Sequence, residues 1–202
     1  MPRSTPVYLP GHFLSASELQ CAVFDGELIA LGEGFLPIDA PNTAFARAAS
    51  LAPVVLDSRV IISDRSAAWV WGWAAMPPAV TTCVSIAARI PSPDRRRLRA
   101  REVVIGAHEQ LALGGVVVTT PLRTLLDLAR HDAGSDLATL LERGIRQSAI
   151  GAHQFTAALT GRTNLSFVRR ARRLLLEACG RASSSLSTGD ADDGATQPLL
   201  TR

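Results

Sequence analysis

Two runs of β-branched residues, each followed at once by a helix-start signal, constrain the fold more than any other feature of the sequence. Val60-Ile61-Ile62 precedes Ser63-Asp64, and Val116-Val117-Val118 precedes Thr120-Pro121. Serine, threonine and aspartate cap helix N-termini through side-chain oxygens, and proline suits the first helical position because its missing N–H needs no partner there. The sequence therefore predicts two buried strands that lead directly into helices, as in an α+β fold.

Further strands and helices surround this frame. Strands are predicted over residues 81–87 and 102–108, and helices over residues 42–51, 65–75, 121–131, 135–147, 153–159 and 165–179. The helix over residues 121–131 has an apolar stripe at the 3.6-residue spacing of an amphipathic helix. The helix over residues 65–75 is apolar on several faces, so Trp69, Trp71 and Trp73 are interpreted as core side chains rather than base-stacking platforms.

A helix followed by a tight hairpin is predicted near the N-terminus. Ser15 and Glu18 have the spacing of a capping box, and Asp25-Gly26 supplies a helix stop. Residues 28–38 have the pattern of two short strands around the turn Gly32-Glu33-Gly34. This order is that of the back half of a winged helix-turn-helix.

The chain is accordingly predicted to have three segments. Residues 1–40 form a degenerate, partial winged-helix-like segment, and residues 41–181 form an α+β domain in which several helices pack on a small sheet. Residues 182–202 are mostly Ser, Thr, Gly and Asp with little to bury, which predicts a disordered tail.

Charge is distributed unevenly among these segments. Residues 1–64 hold seven acids and three arginines, for a net charge of −4, whereas residues 65–181 hold eight acids and seventeen arginines, for a net +9. Residues 182–202 hold three acids and one arginine, net −2, and −4 + 9 − 2 gives the +3 of the whole chain. The basic middle of the chain is what a surface facing phosphates requires.

Several kinds of catalytic and metal site lack their essential residues. All 21 basic side chains are arginine, so no lysine is present for a phosphate-binding P-loop, a restriction-type nuclease core or a Schiff base. The three cysteines are far apart and odd in number, and the four histidines have no ligand spacing. We therefore expect a protein that is not an enzyme and that needs no metal and no cofactor.

The sequence also indicates a cytoplasmic location. No run approaches the roughly 18 uncharged apolar residues of a membrane helix, and the first ten residues lack the charged and apolar regions of a signal peptide.

The densest basic run lies between two predicted strands. It holds five arginines in seven residues: Arg95, Arg96, Arg97, Arg99 and Arg101. Arginine binds phosphate through a planar fork of donors, so several in one loop would give affinity with little base preference. A solvated surface loop and a contact with an acidic protein partner are the alternatives.

A second basic cluster lies on the last predicted helix, at Arg169, Arg170, Arg172 and Arg173. Helical spacing places Arg169, Arg172 and Arg173 on one face, with Arg170 to the side. The cluster is consistent with nucleic-acid contact, or with an ordinary surface helix whose arginine stems cover the core.

Arg123 and Asp127 stand one turn apart on the helix that follows Thr120-Pro121. We interpret them as a partly buried pair that organises the junction between sheet and helix, with a direct functional role as the alternative.

Two strings in this sequence resemble a known family. They are residues 62–72, Ile-Ser-Asp-Arg-Ser-Ala-Ala-Trp-Val-Trp-Gly, and residues 118–130, Val-Thr-Thr-Pro-Leu-Arg-Thr-Leu-Leu-Asp-Leu-Ala-Arg. Both look like the AbiEi-type antitoxin family of type IV toxin–antitoxin systems, abundant in actinobacteria, over about residues 13–180. The positions that match are Ser63, Arg65, Ser66, Trp69, Gly72, His108, Thr120, Pro121, Arg123, Thr124, Asp127 and Arg130.

The resemblance implies a transcriptional regulator. Its winged helix would bind inverted operator repeats, its second domain would support repression, and it would antagonise a nucleotidyltransferase-like toxin. Two features depart from the family pattern: Asp64 stands where histidine is usual, and the wing, normally rich in arginine, holds Glu33 and no arginine over residues 30–36.

The departures leave two hypotheses. In the first, the chain is an antitoxin-like regulator, dimeric on operator DNA, whose two arginine clusters contact phosphates. In the second, it is a non-catalytic protein-interaction module, or an orphan remnant, without DNA binding. The acidic wing favours the second hypothesis and the basic middle of the chain favours the first.

Overall fold

The computed structural model describes residues 7–88, 98, 100–160 and 167–187, with side chains to residue 184. The chain forms two compact units, Met1–Leu128 and Ala129–Arg202. The first unit contains every strand in the described part of the chain, and the second contains the last three helices. The α+β fold expected from the sequence is confirmed.

The first unit begins with the predicted helix and hairpin. Helix α1 spans Ala16–Phe24, and both bonds of its capping box are present: Glu18 N donates to Ser15 Oγ at 3.3 Å, and Ser15 N donates to Glu18 Oε2 at 2.7 Å. Strands β1 (Leu28–Leu31) and β2 (Gly34–Pro37) then form an antiparallel hairpin. The local sequence signals of this region are therefore confirmed.

A five-stranded mixed sheet forms the centre of the first unit. Its strands are β3 (Val60–Ile62), β4 (Thr82–Ser85), β5 (Arg101–Val103), β6 (Gln110–Leu113) and β7 (Val116–Thr119), in the order β5-β4-β3-β7-β6. The pairs β3–β7 and β4–β5 are parallel, and the other neighbours are antiparallel. Because β3 and β7 are parallel neighbours, their carboxyl ends lie together at one edge of the sheet.

Three helices accompany the sheet: α2 (Ala44–Ser50), α3 (Asp64–Val70) and α4 (Pro121–His131). Helix α2 begins two residues later than predicted, and its cap is Thr43, whose side chain accepts a hydrogen bond from Ala46 N. Helix α3 ends at Val70 and not near residue 75, because Gly72 has a φ of +85° and turns the chain away. Helix α4 begins at Pro121 as predicted.

Alternation along the strands gives the sheet an apolar layer on each face. Val60 and Ile62 of β3 are buried with Trp69, with residues of α2 and with the hairpin side chains Leu31 and Leu36. Ile61 points the other way and packs with Cys83 and Val103. This period of two is what a strand buried on both faces requires.

One predicted strand is shorter than expected and one strand was not predicted. The strand over residues 102–108 ends at Val103, and Ala107–Glu109 forms a 3₁₀ turn instead. The carbonyl of Val104 accepts a hydrogen bond from Arg123 NH1 at 3.1 Å, a side-chain partner where a strand would use a neighbouring backbone. After the turn the chain forms β6, which pairs with β7 around Gly114-Gly115.

The turn between β6 and β7 lies close to α2. A Cβ atom at Gly114 would come within 2.5 Å of Ala49 N and 2.7 Å of Phe45 O, and the φ of Gly114 is +59°. Both the space and the backbone conformation therefore require glycine there.

The second unit contains α5 (Leu137–Ser148), α6 (Ala152–Leu159) and α7 (Val168–Ser187). Helix α7 runs past residue 182, where the disordered tail was predicted to begin, so that prediction is wrong for residues 182–187. Ala182 is buried, and Ser183 and Ser184 donate to the carbonyls of Cys179 and Gly180 one turn earlier, which lets serine continue a helix. The rest of the predicted tail lies outside the described residues.

Among the described residues, no helix combines the length and the apolar character needed to cross a bilayer.

Candidate functional site

The arginine run between β4 and β5 lies mostly outside the described residues. Arg95, Arg96, Arg97 and Arg99, all predicted to contact DNA, belong to the part of the chain that the structure leaves undescribed. Arg101, the last of the five, is the first residue of β5, and its side chain is one-third exposed. Its guanidinium NH2 lies 3.2 Å from Asp64 Oδ1 and 3.9 Å from Asp127 Oδ2. Arg101 therefore has carboxylate partners within its own domain.

The second arginine cluster divides into two kinds of side chain. Arg169, Arg172 and Arg173 are exposed on α7, three and four residues apart, and thus share one face of the helix as predicted. Arg173 Nε lies 3.9 Å from Glu177 Oε1, in an exposed pair whose side chains are 71% and 51% accessible. Such an exposed pair constrains neither side chain strongly. We call Arg169, Arg172 and Arg173 the α7 arginine face.

Arg170 has a structural role instead. Its NH2 donates to the carbonyl of Asp132 at 2.6 Å, and its NH1 donates to the carbonyl of Arg130 at 3.3 Å. Arg130 is in the last turn of α4, where backbone carbonyls lack partners within the helix. A guanidinium there supplies the missing donors and the positive charge that a helix C-terminus favours.

Arg123 is the centre of a buried ionic cluster on α4. Its side chain is 2% exposed, and its Nε donates to Asp127 Oδ2 at 2.7 Å. Its NH1 lies 3.1 Å from Glu109 Oε2 as well as bonding Val104 O. Arg123 and Asp127 pair as predicted but are buried almost completely and not partly, and Glu109 is a third member that the sequence did not indicate.

Ion pairing explains how the Arg123 guanidinium can be buried. Burial acts to lower the pKa of Arg123, but the carboxylates of Asp127 and Glu109 outweigh it, so the pKa is raised above its ordinary value. For Asp127, burial raises the pKa while the Arg123 guanidinium opposes that rise. A guanidinium held between two carboxylates stays charged, and its hydrogen bonds offset part of the desolvation cost.

Asp64 extends the cluster toward the surface. It is the first residue of α3, with a φ of +50°, a left-handed conformation that aspartate tolerates better than most residues. Its Oδ2 accepts a hydrogen bond from Ser63 Oγ at 2.7 Å, and both of its carboxylate oxygens lie within 3.3 Å of Arg101 NH2. Asp64 thus gives Arg101 a carboxylate partner in the first turn of α3.

The two family-like strings meet at the edge of the sheet where β3 and β7 end. Trp71 Nε1 donates to the carbonyl of Thr119 at 3.0 Å, which joins the first string to the second. Thr124 Oγ1 donates to the carbonyl of Thr120 at 2.9 Å and lies 2.7 Å from Thr119 Oγ1, so the start of α4 is tied to the end of β7.

Ser63 and Ser66 of the first string bind a residue outside both strings. Thr81 N donates to Ser66 Oγ at 2.8 Å, and Thr81 Oγ1 donates to Ser63 O at 2.7 Å. Three other residues of the first string pack against the protein. Trp69 is in the core, and Arg65 is half-buried in the first turn of α3. A Cβ atom at Gly72 would lie 3.0 Å from the Arg47 guanidinium. The strings therefore encode a polar framework at the edge of the sheet.

His108 and Cys83 are the residues near this framework that could bind a metal or act as a nucleophile. His108 is exposed in the 3₁₀ turn, and no group of three or more metal-ligating side chains occurs in the described part of the chain. Burial raises the pKa of the Cys83 thiol to about 12, with Asp127 acting in the same direction. The thiol of Cys83 is thus uncharged at neutral pH, and a thiol in that state is a poor nucleophile.

The sequence did not reveal the polar contacts that Trp71, Thr81, Glu109 and Asp64 make in this framework. Glu109 stands three residues after Gly106, which is the spacing of the acidic residue in a capping box. The N–H of Gly106 donates to Glu109 Oε2 at 2.9 Å, so this spacing is a signal from which Glu109 could have been found. The other contacts join residues 15 to 48 positions apart, which a single sequence does not reveal.

Comparison with known proteins gives a likeness to a solved structure. No protein-family model matches the chain, and no curated protein is similar to it. Among solved structures, the chain is similar to the RV2827C protein from Mycobacterium tuberculosis, with a TM-score of 0.49 and 17% sequence identity, over 90% of this chain and 71% of that one.

Proposed function

We propose that this chain is a cytoplasmic, non-catalytic regulator of the antitoxin type that binds duplex DNA through the α7 arginine face. The single observation that carries the proposal is the exposure of Arg169, Arg172 and Arg173 on one side of one helix. The resemblance of residues 62–72 and 118–130 to the AbiEi-type family supplies the rest: an operator as the DNA, a dimer on it, and a nucleotidyltransferase-type toxin as the counterpart.

The chemistry of the face favours phosphate. Guanidinium groups bind phosphate oxygens with two parallel hydrogen bonds, and duplex DNA carries one negative charge per roughly 1.7 Å of its axis. Residues three and four apart on a helix have Cβ atoms about 5–6 Å from each other, so the three side chains leave the helix within about one turn. Such a face gives affinity that depends on salt and little on base sequence.

The DNA contacts we propose are fewer than the sequence predicted. Arg101 and Arg170 bind acceptors of this chain, so we assign them structural roles and leave the contacts to the α7 arginine face. Arg95, Arg96, Arg97 and Arg99 remain predicted contacts that would add to it. The helix and hairpin at the N-terminus contribute no basic side chain, because no arginine occurs between Arg3 and Arg47.

Fluorescence anisotropy with the duplex from upstream of the gene tests the proposal. Affinity should fall steeply with salt, and the triple variant Arg169→Ala, Arg172→Ala, Arg173→Ala should flatten the slope of log K against log salt by about 2–3, since each phosphate contact contributes about 0.9. Arg59→Ala is a matched control, because it removes one exposed arginine that is paired with Asp57. An unchanged slope in the triple variant would show that the α7 arginine face does not bind DNA.

A protein-interaction module is the second candidate, and a specific observation favours it. Large apolar side chains are exposed in the N-terminal segment, with Phe13 92%, Phe24 81% and Ile38 61% accessible. Aromatic side chains in such positions are typical of protein interfaces. Association with the toxin or with a second copy, together with no salt-dependent DNA binding, would select this candidate.

A further inference from the structure

An apolar groove opens in the second unit, beside the C-terminal half of α7. It has a volume of about 490 Å³ and lies between that helix and the turn from α5 to α6. Ile145, Ile150 and Leu176 line it together with Cys179 and Gly180. Leu176 is 41% exposed, and a Cβ atom at Gly180 would meet nothing within 4 Å, so the groove offers apolar surface and open space together.

The edge of the groove is positively charged. Arg146, which lines it, forms an ion pair with Glu142, and Arg181 Nε lies 3.6 Å from the same carboxylate. Two arginines thus share one glutamate, which leaves these three side chains with a net charge of +1 (2 − 1). A ligand with carboxylates next to an apolar group would complement both features of the groove.

Residues 188–202 of the same chain have that composition. Asp190, Asp192 and Asp193 are followed by Leu199-Leu200, the only large apolar side chains after residue 187. Gly189 allows the chain to reverse directly after α7. The acidic part comes first in the sequence and the apolar part follows it.

The length of this segment is sufficient. Ser183 lines the groove and α7 ends at Ser187, which places the helix end about 6 Å beyond the groove at 1.5 Å per residue. The eleven residues 188–198 can span up to roughly 36 Å when extended. A segment joined by a short flexible linker also has an effective concentration at the groove on the order of millimolar.

We propose that residues 188–202 dock within the same molecule, with Leu199 and Leu200 in the groove between α7 and the α5–α6 turn and the aspartates beside Arg146 and Arg181. The groove is then a built-in acceptor for the C-terminal segment. This interaction surface is independent of DNA binding by the α7 arginine face.

Cys179 provides a direct measurement, because its half-buried thiol lines the groove. The rate of its alkylation by iodoacetamide in the full chain, followed by mass spectrometry at one pH, reports how often the groove is open. Leu199→Ser with Leu200→Ser should raise that rate roughly tenfold, because the apolar contacts that hold the segment in place are lost. Cys21 is exposed and should react at the same rate in every variant.

Two further variants separate the contributions. Thr196→Ser with Thr201→Ser changes residues on either side of the leucines while keeping their apolar surface, and should leave the Cys179 rate unchanged. Asp190→Asn, Asp192→Asn and Asp193→Asn together should raise the rate by roughly threefold, and only at low salt, since these pairs are exposed.

The proposal fails under either of two outcomes. Equal Cys179 rates in the wild type and in the double leucine variant would show that the leucines do not cover the groove. Protection that disappears when the protein is diluted a hundredfold would show that the occupant belongs to a second copy and not to the same molecule. A rate that is independent of dilution and rises in the leucine variant supports docking within the chain.

Discussion

Arg123 and the α7 arginine face use the same side chain for opposite purposes. Arg123 is buried between Asp127 and Glu109 and bonds a backbone carbonyl as well, so its charge serves the fold. Arg169, Arg172 and Arg173 are exposed, with one carboxylate, Glu177, near the end of the face. The surroundings of an arginine, and not its presence in a basic stretch, therefore decide whether it stabilises the protein or is available to a polyanion.

The largest effect is expected when one arginine of each kind is truncated, which tests whether the buried and the exposed arginines contribute differently to stability. Arg123→Ala leaves two carboxylates buried without their guanidinium, and we expect it to lower the free energy of unfolding by about 3–5 kcal/mol. Arg172→Ala removes an exposed side chain and should change it by less than about 0.5 kcal/mol. Urea unfolding followed by circular dichroism measures both, and equal losses would contradict the distinction.

Two neighbouring arginines on α7, Arg169 and Arg170, allow the same test of stability within one helix. Arg170→Ala removes two hydrogen bonds to carbonyls at the end of α4, so we expect a loss of about 1–2 kcal/mol in the free energy of unfolding. Arg169→Ala is the matched control and should lose less than about 0.5 kcal/mol. For DNA binding the order should reverse, with Arg169→Ala the weaker binder in the anisotropy titration.

Substitutions of Asp64 test how the solvent-facing edge of the buried cluster contributes to stability. Asp64→Ala removes the ion pair with Arg101 and leaves alanine at a φ of +50°. Asp64→Gly removes the same pair but suits that backbone conformation, so we expect it to be more stable than Asp64→Ala by about 1 kcal/mol. Thermal unfolding of the two variants gives the comparison, and a less stable glycine variant would show that the backbone of residue 64 carries no strain.

The smallest expected effect concerns the capping box of α1, which depends on pH. Hydrogen bonds from the backbone and side chain of Ser15 lower the pKa of Glu18 below its ordinary value of 4.5. Because the pKa of Glu18 is lower in the folded protein than in the unfolded chain, its stabilisation is complete above the pKa of the unfolded chain. The stabilisation is lost as the pH falls through the pKa of the folded protein. Glu18→Gln should therefore be slightly less stable than the wild type at pH 7, and the difference should vanish in acid.

Local signals predicted much of this fold because they act over a few residues. Ser15 and Glu18 fix the start of α1, and Thr120-Pro121 fixes the start of α4, through contacts within one helical turn. Strand β6 was missed because its residues are only partly buried, so the alternation that marks a strand is weak. The Gly114-Gly115 pair that follows it is a hairpin signal from which the strand could have been inferred.

The candidate site was less predictable, for a physical reason. Ionic and polar contacts such as Arg101 with Asp64, 37 residues apart, depend on which strands become neighbours in the sheet. A sequence shows that Arg101 is part of a basic run, but only the pairing of β4 with β5 brings it toward the start of α3. The common face of Arg169, Arg172 and Arg173 was foreseen because it follows from the helical period alone.

The tight approach of Gly114 to α2 has a practical consequence for anyone who alters this protein. Residue 115 is also a glycine with positive φ; a Cβ atom there would meet nothing within 4 Å, but its φ of +86° would strain any other residue. At residue 114 every other amino acid would collide with the backbone of Ala49 and Phe45. Affinity tags, fluorescent labels or inserted loops placed at this hairpin would thus push the sheet edge off its helix, and a library randomised there should return glycine at 114.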